Sequence, residues 1–164
     1  MPEKKVIVIN TGPLIALTAA TGNLDILQQL YSRVVVPYEV GAEILAGGQS
    51  GFAVPEYQAA TFLDKLLLPA SIGTFLHNSL DIGEASVIQT AIDRGISTVC
   101  IDEAVGRRIA RLNGLSVTGS LGILLRAKQE DPALSMRSVI DNMQRHGIWL
   151  AQNLAEAVLR LAGE

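Results

Sequence analysis

The stretch VIVINTGPLIAL, residues 6–17, decides how this chain begins to fold. Its first four residues form an uninterrupted aliphatic run, which is typical of a strand that is buried on both faces. Pro13 suits the first turn of a helix, because a backbone donor is not needed there. Asn10 stands between the two elements, so the stretch predicts a β–α unit with a polar amide at its corner.

The rest of the chain repeats this alternation of short aliphatic runs and amphipathic segments. Further strands are predicted at 33–37, 97–102 and 114–118, with a weak one at 72–75, and a glycine-rich loop at 47–55. The predicted helices span 13–20, 24–31, 37–46, 57–68, 80–95, 104–113, 120–130, 136–145 and 152–161. This order predicts an α/β fold with a mainly parallel central sheet and helices on both faces.

Composition excludes several classes of protein. The 164 residues are 49% apolar and 18% charged, which excludes a disordered chain. Aromatic residues make up only 4%, which argues against an extended platform that stacks many bases. The single cysteine, Cys100, cannot form an internal disulfide, so we expect a cytoplasmic protein. No run is long enough for a signal peptide or a membrane span.

Polar residues gather where the predicted strands and helices meet. Ligands of parallel sheets bind outside the carboxyl ends of the strands, and Asn10 and Asp102 follow two such ends. Glu103 comes next, Glu84 lies in the first turn of a helix, and Glu43 lies in the second turn of another. Four distant segments could therefore bring an amide and several carboxylates to one edge of the sheet.

Each of these residues also has an ordinary structural interpretation. Glu84 fits a capping-box arrangement, and acidic residues such as Asp102 and Glu103 are favourable at a helix start. Glu43 could be a solvated side chain, and Asn10 an ordinary turn residue. The set is more informative than its members, because clustered carboxylates repel one another unless a cation balances them. Mg²⁺ or Mn²⁺ prefers such oxygen ligands and can activate a water to attack a phosphodiester.

A net charge of −3 gives no general attraction to nucleic acid, so local groups would have to bind phosphate. Arg107, Arg108 and Arg111 follow on one predicted helix, and they could hold phosphates or form a solvated face. Thr118 and Ser120 precede the next helix and could bind phosphate or simply cap it. The histidines lack the spacing of a zinc site, and no P-loop or dinucleotide motif is present.

Four segments in this order resemble the PIN domain family, and more narrowly its PIN-like group of small prokaryotic proteins described as predicted nucleic-acid-binding proteins. The segments are VIVINTGPLIAL, VVVPYEVGAEILAG, LDIGEASVIQTAIDRG and VCIDEAVGRRIARLNGLSVTGSLGILLRAK. The resemblance covers residues 5 to about 128, and the tail from 131 to 164 resembles the C-terminal helical extension of that group. It implies a PIN-like domain at 1–128, with the extension at 129–164 packed on the same domain.

The resemblance also implies an activity and its residues. It implies a three-layer α/β/α domain, Mg²⁺- or Mn²⁺-dependent cleavage of single-stranded RNA, and frequent homodimers. Many relatives are toxins of toxin–antitoxin pairs, which implies a possible antitoxin partner. Glu43, Glu84 and Asp102 occupy the second, third and fourth acidic positions. The first position is Asp in most PIN nucleases and is Asn10 here, followed by Thr11.

The leading hypothesis is therefore a metal-dependent endoribonuclease in which the three carboxylates, Asn10 and the neighbouring Glu103 hold the cation. Thr11 and the arginines would bind RNA. The rival hypothesis is a module that binds RNA or an antitoxin without cleaving, because Asn10 removes one charge from the metal site. A small-molecule phosphohydrolase shares the metal chemistry but requires a closed pocket.

Overall fold

The computed structural model describes residues 4–48 and 51–164, which form one parallel sheet covered by helices. The strands are β1 (Lys5–Ile9), β2 (Tyr31–Val36), β3 (Asp64–Lys65), β4 (Thr98–Cys100) and β5 (Ser116–Thr118). The helices are α1 (Thr11–Thr21), α2 (Asp25–Leu30), α3 (Tyr38–Leu45), α4 (Val54–Ala59), α5 (Thr74–Ser79), α6 (Ile82–Arg94), α7 (Ala104–Leu112), α8 (Ser120–Glu130), α9 (Met136–Arg145) and α10 (Gln152–Leu161).

The strand order is β3-β2-β1-β4-β5, and every pairing between described strands is parallel. β1 lies in the centre, where Val8 is in register with Val35 on one side and Val99 on the other. Ile7, Val8 and Ile9 are fully buried, as the aliphatic run predicts for a strand covered on both faces.

Helices cover both faces of this sheet, which confirms the three-layer α/β/α fold. α1, α8 and α9 pack against one another on one side, while α6 packs with α7 and contacts β1 and β4 on the other. α3 contacts both α1 and α6. Because all strands are parallel, their carboxyl ends share one edge, where α1, α7 and α8 begin.

The prediction of one helix over 57–68 is wrong. α4 begins earlier, at Val54, and ends at Ala59. The chain then turns, and Asp64–Lys65 pairs with Val35 and Val36 as the edge strand β3. A two-residue strand has little local signal; it forms because the edge of β2 offers it backbone partners.

The predictions for the neighbouring segments also need correction. The weak strand at 72–75 is absent from the described structure, because Thr74 begins helix α5 and β3 already occupies that edge of the sheet. The glycine-rich loop predicted at 47–55 includes Gln49 and Ser50, which lie outside the described residues, and its last two positions belong to α4.

The two C-terminal helices, α9 and α10, pack on the rest of the chain. α9 buries Met136, Val139 and Met143, and the Asn142 side chain donates a 3.0 Å hydrogen bond to the Ala20 carbonyl at the end of α1. A domain boundary near residue 128 stays a prediction. Across residues 4–48 and 51–164, every helix is too short or too polar to cross a membrane.

Candidate active site

Asn10 follows β1 directly and is held at the carboxyl edge by its backbone, whose N–H donates to the Cys100 carbonyl of β4 at 3.0 Å. It is the residue that precedes α1, yet its side chain makes no capping hydrogen bond. Its Oδ1 is buried and has no hydrogen-bond partner among the described residues. Leaving a buried polar atom without a hydrogen-bond partner destabilises the folded state by about 1–3 kcal/mol. A bound ligand would remove this penalty, so the oxygen is a candidate ligand-binding atom.

Glu43 is brought to Asn10 by contacts between α1, α3 and α6. The Thr11 hydroxyl donates a 2.8 Å hydrogen bond to Glu43 Oε2, which fixes that carboxylate. Gly83 in the first turn of α6 lies against both groups. A Cβ placed on Gly83 would lie 2.8 Å from Glu43 Oε2 and 3.3 Å from Asn10 Oδ1. The missing side chain of Gly83 therefore lets the two oxygens lie close together.

Glu84 lies in the first turn of α6 and is buried, with 6% of its surface exposed. Its backbone N–H donates to Asp81 Oδ1 at 2.8 Å, so Asp81 caps the helix. The Glu84 carboxylate points towards α7, where its Oε1 lies 3.0 Å from the position of a Cβ on Gly106. Asp81 therefore provides the side-chain cap of α6, and the Glu84 carboxylate is not needed for capping.

Glu84 lies in a strongly negative environment. Burial is the largest cause that raises its pKa to about 7, and the negative charges of Asp81 and Glu103 add to the effect. Burial, reinforced by these neighbouring charges, therefore favours a proton on this carboxyl group near neutral pH.

Asp102 follows β4 and is fixed by the start of α8. The Ser120 N–H donates to Asp102 Oδ1 at 2.8 Å, and the Ser120 hydroxyl donates to Oδ2 at 2.9 Å. Arg107 lies beside it, and its guanidinium donates to the Ile101 carbonyl at 2.9 Å. A Cβ on Gly119 would lie 2.7 Å from both Asp102 Oδ1 and an Arg107 nitrogen, so glycine makes room for this pair.

Two neighbouring cavities open at this edge of the sheet. The smaller, of about 440 Å³, is lined by Asp81, Glu84 and Glu103 among others. The larger, of about 810 Å³, is lined by Asp102, Glu103 and Arg107, and also by both Thr118 and Ser120. Glu103 lines both, so the acidic pocket and the larger cleft adjoin each other.

The structure separates the predicted phosphate-binding residues into groups. Arg107 and Thr118 line the larger cleft, whereas Arg108 and Arg111 are exposed on α7 and line neither of the two cavities. Ser120 uses its hydroxyl and N–H to position Asp102, and its contact with phosphate stays a prediction.

Sequence reasoning did not single out Gly83, Gly106 or Gly119 as parts of the site. Each lies against a candidate side chain from another segment, which only the fold reveals. A signal was present at two of them, because Gly83 and Gly106 each interrupt the first turn of a helix, where glycine is unfavourable without a reason.

The oxygen atoms of these side chains are suitable ligands for a hard divalent cation that also keeps bound water. Among the described residues, no three His, Cys, Asp or Glu side chains converge closely enough to form a metal site by themselves. Mg²⁺ commonly keeps several waters and takes only one or two carboxylates. The unpartnered Asn10 Oδ1, with Glu43 beside it, is consistent with that kind of site.

The sequence profile of the PIN domain matches residues 6–164, which is nearly the whole chain. The chain belongs to the PIN domain family. PIN domains form a nuclease family, and they generally depend on divalent metal ions. No curated protein and no solved structure matches this PIN domain protein.

Proposed function

We propose that this PIN domain protein is a metal-dependent endoribonuclease that hydrolyses single-stranded RNA. The observation that carries the proposal is the buried, unpartnered Oδ1 of Asn10 next to the Glu43 carboxylate. An amide oxygen in that position is a ready ligand for Mg²⁺ or Mn²⁺. Family membership supports nuclease chemistry.

Asn10, Glu43, Glu84 and Asp102 would hold the cation, some of them through water, and Glu103 supplies further negative charge. When bound, the cation polarises the phosphodiester and lowers the pKa of the attacking water.

Other side chains of the chain position these groups. The Thr11 hydroxyl orients the Glu43 carboxylate, and Ser120 fixes both oxygens of Asp102. Arg107 lines the larger cleft together with Asp102, and its guanidinium can hold an RNA phosphate there. Arg108 and Arg111 are exposed on the same helix and extend the basic surface along the RNA backbone.

The test is cleavage of a single-stranded RNA by purified protein in Mn²⁺, compared with the same protein in excess chelator. We expect Asp102→Asn to reduce the cleavage rate about 100-fold or more, since metal-bound water and charge stabilisation contribute several kcal/mol. Asp93→Asn is the matched control, because Asp93 is exposed near the far end of α6. Equal cleavage by both variants, or cleavage that survives chelation, would overturn the proposal.

A second candidate function is an RNA-binding or antitoxin-binding module that does not cleave. Two observations favour it: Asn10 stands where most PIN nucleases have Asp, and no three acidic or histidine side chains converge in the described residues. Calorimetric titration with Mg²⁺ and Mn²⁺ separates the two functions. Binding in the millimolar range or tighter supports the nuclease, and no binding supports the module.

We also propose a cytoplasmic homodimer that acts as the toxin of a toxin–antitoxin pair. Exposed apolar residues, including Leu67 and Leu68, offer surface for a protein partner. Sedimentation of the wild-type protein and of Leu68→Glu tests the dimer. Growth arrest on expression, relieved by a co-expressed partner, tests the toxin role.

A further inference from the structure

The larger cleft is lined by both charged and apolar residues. Asp102, Glu103 and Arg107 are its charged lining residues. Its apolar lining comes from the segment between α9 and α10, which contributes Trp149 and its two neighbours, and from apolar side chains of α1 and α8. Its volume of about 810 Å³ is within the range of small-molecule and cofactor pockets, about 300–1,000 Å³.

The segment that carries Trp149 is fixed by backbone hydrogen bonds. Gly147 has a φ of +82°, a conformation that glycine adopts readily, and its N–H donates to the Gln144 carbonyl at 3.0 Å. The Ile148 N–H donates to the Met143 carbonyl, also at 3.0 Å. This turn ends α9 and leads into the residues that line the cleft.

Trp149 lines the cleft, yet 76% of its surface is exposed. It is the only tryptophan of the chain. Packing inside the protein therefore does not explain why the largest apolar side chain stands at this point. An exposed indole that lines the same cleft as an arginine suits a ligand with a flat apolar part and an anionic part.

We propose that this cleft is a nucleobase subsite, in which one unpaired base of the RNA stacks on Trp149 while Arg107 holds an adjacent phosphate. Single-stranded RNA presents this combination, because its unpaired bases can be splayed out and stacked on aromatic side chains. The inference rests on the proposed function, and it adds a place for one base next to the cleavage site. A single aromatic is consistent with the low aromatic content, which argues only against a platform for many bases.

The charge of the cleft favours a nucleotide over an apolar segment of a protein partner. Charged side chains, Arg107 among them, line the same cleft as Trp149, so a purely apolar occupant would cover these charges without offering them a polar partner. A nucleotide places a phosphate there and a base against the indole.

The tryptophan fluorescence of the protein reports on Trp149 alone, because the chain has no other tryptophan. The Asp102→Asn protein, in Mg²⁺ and low salt, is titrated with a short single-stranded RNA and with an abasic strand of the same length and charge. We expect saturable quenching by the RNA and little change with the abasic strand. Equal responses to both strands, or no response to either, would overturn the subsite.

Binding measured by anisotropy of a labelled RNA provides the second test. Trp149→Ala should weaken binding about 5- to 150-fold, the usual effect of losing one stacked base, whereas Trp149→Phe should retain most of the affinity. Phe75→Ala is the matched control, an exposed aromatic outside the cleft, and should bind as the wild type does. Because Trp149 is mostly exposed, its truncation should leave the melting temperature unchanged.

The two proposals fail in different ways. Quenching by RNA in a protein that shows no metal-dependent cleavage would keep the subsite and reject the nuclease. Cleavage that requires Asp102, with RNA affinity that does not change in Trp149→Ala, would keep the nuclease and reject the subsite.

Discussion

Asn10 carries an amide where an aspartate would carry a carboxylate, and this difference affects how strongly the proposed site can bind a cation. In the proposed site, the amide supplies an oxygen ligand without the negative charge that an aspartate would bring. That oxygen is buried and unpartnered among the described residues, and Glu43 lies beside it. The strength of cation binding is therefore the property that this substitution most directly changes.

Asn10→Asp should raise the affinity for Mn²⁺ about tenfold or more, because one added charge near a divalent cation contributes at least 1–2 kcal/mol. Without metal, the same variant should melt at a lower temperature, since it buries a charge among other carboxylates. Calorimetric titration and thermal unfolding measure the two effects. Asn23→Asp, at an exposed position between α1 and α2, is the control. Unchanged Mn²⁺ affinity in Asn10→Asp would remove Asn10 from the site.

At the scale of elements, the start of α6 brings the separate segments together. Gly83 lies in its first turn, against Glu43 from α3 and Asn10 from the end of β1. A Cβ at that position would lie 2.8 Å from Glu43 Oε2, closer than real Cβ atoms come to other heavy atoms. The flexible Glu43 side chain can move away from such a Cβ. An alanine at position 83 would therefore disturb the position of the Glu43 carboxylate more than the stability of the fold.

Gly83→Ala should therefore separate metal binding from stability. We expect Mn²⁺ affinity to fall about 10-fold, in the range of changes to groups that orient metal ligands. The melting temperature should stay the same or rise, because alanine favours a helix over glycine by up to about 1 kcal/mol. Gly73→Ala is the control, since its Cβ would make an ordinary 3.5 Å contact with Gln89. Equal Mn²⁺ affinities in the two variants would contradict this account of Gly83.

Elements with a strong local pattern could be predicted from the sequence. β1, α6 and α8 have continuous aliphatic or amphipathic patterns, and Gly95 ends α6 as predicted, with a φ of +66°. β3 could not be predicted, because its two residues become a strand only by pairing with β2.

The candidate site, like the fold, could be predicted only where the signal is local in the sequence. Carboxylates at strand and helix ends could be identified from the sequence, and which of them lie close together depends on contacts between distant segments. Ser120 is an example: the sequence could show only a hydroxyl before a helix, while the fold places it on Asp102.

At the scale of the whole molecule, Glu164 ties three helices of the C-terminal part together. Its carboxylate accepts hydrogen bonds from the backbone N–H groups of Met136 at 2.6 Å and Arg137 at 3.3 Å, at the start of α9. The Lys128 ammonium of α8 lies 3.5 Å from the same carboxylate. The residue follows α10, so α8, α9 and α10 meet at this one side chain.

These contacts make the stability of the protein depend on pH in a defined direction. The Met136 N–H is the main cause that lowers the pKa of Glu164 below its ordinary value of 4.5, and the Arg137 N–H, Lys128 and Ser135 act in the same direction. A lowered pKa in the folded state means that the carboxylate stabilises the fold fully above pH 4.5. That stabilisation is lost as the pH falls through the lowered value, where the folded protein also takes up the proton.

Glu164→Gln should therefore melt at a lower temperature than the wild type at pH 7, and the difference should shrink as the pH falls below about 4.5. Thermal unfolding of both proteins across this range measures the difference, which cancels the effect of carboxyl groups that they share. Glu130→Gln, at an exposed position on α8, should match the wild type at each pH. A difference between Glu164→Gln and the wild type that stays constant down to low pH would show that the charge of Glu164 is not what joins these helices.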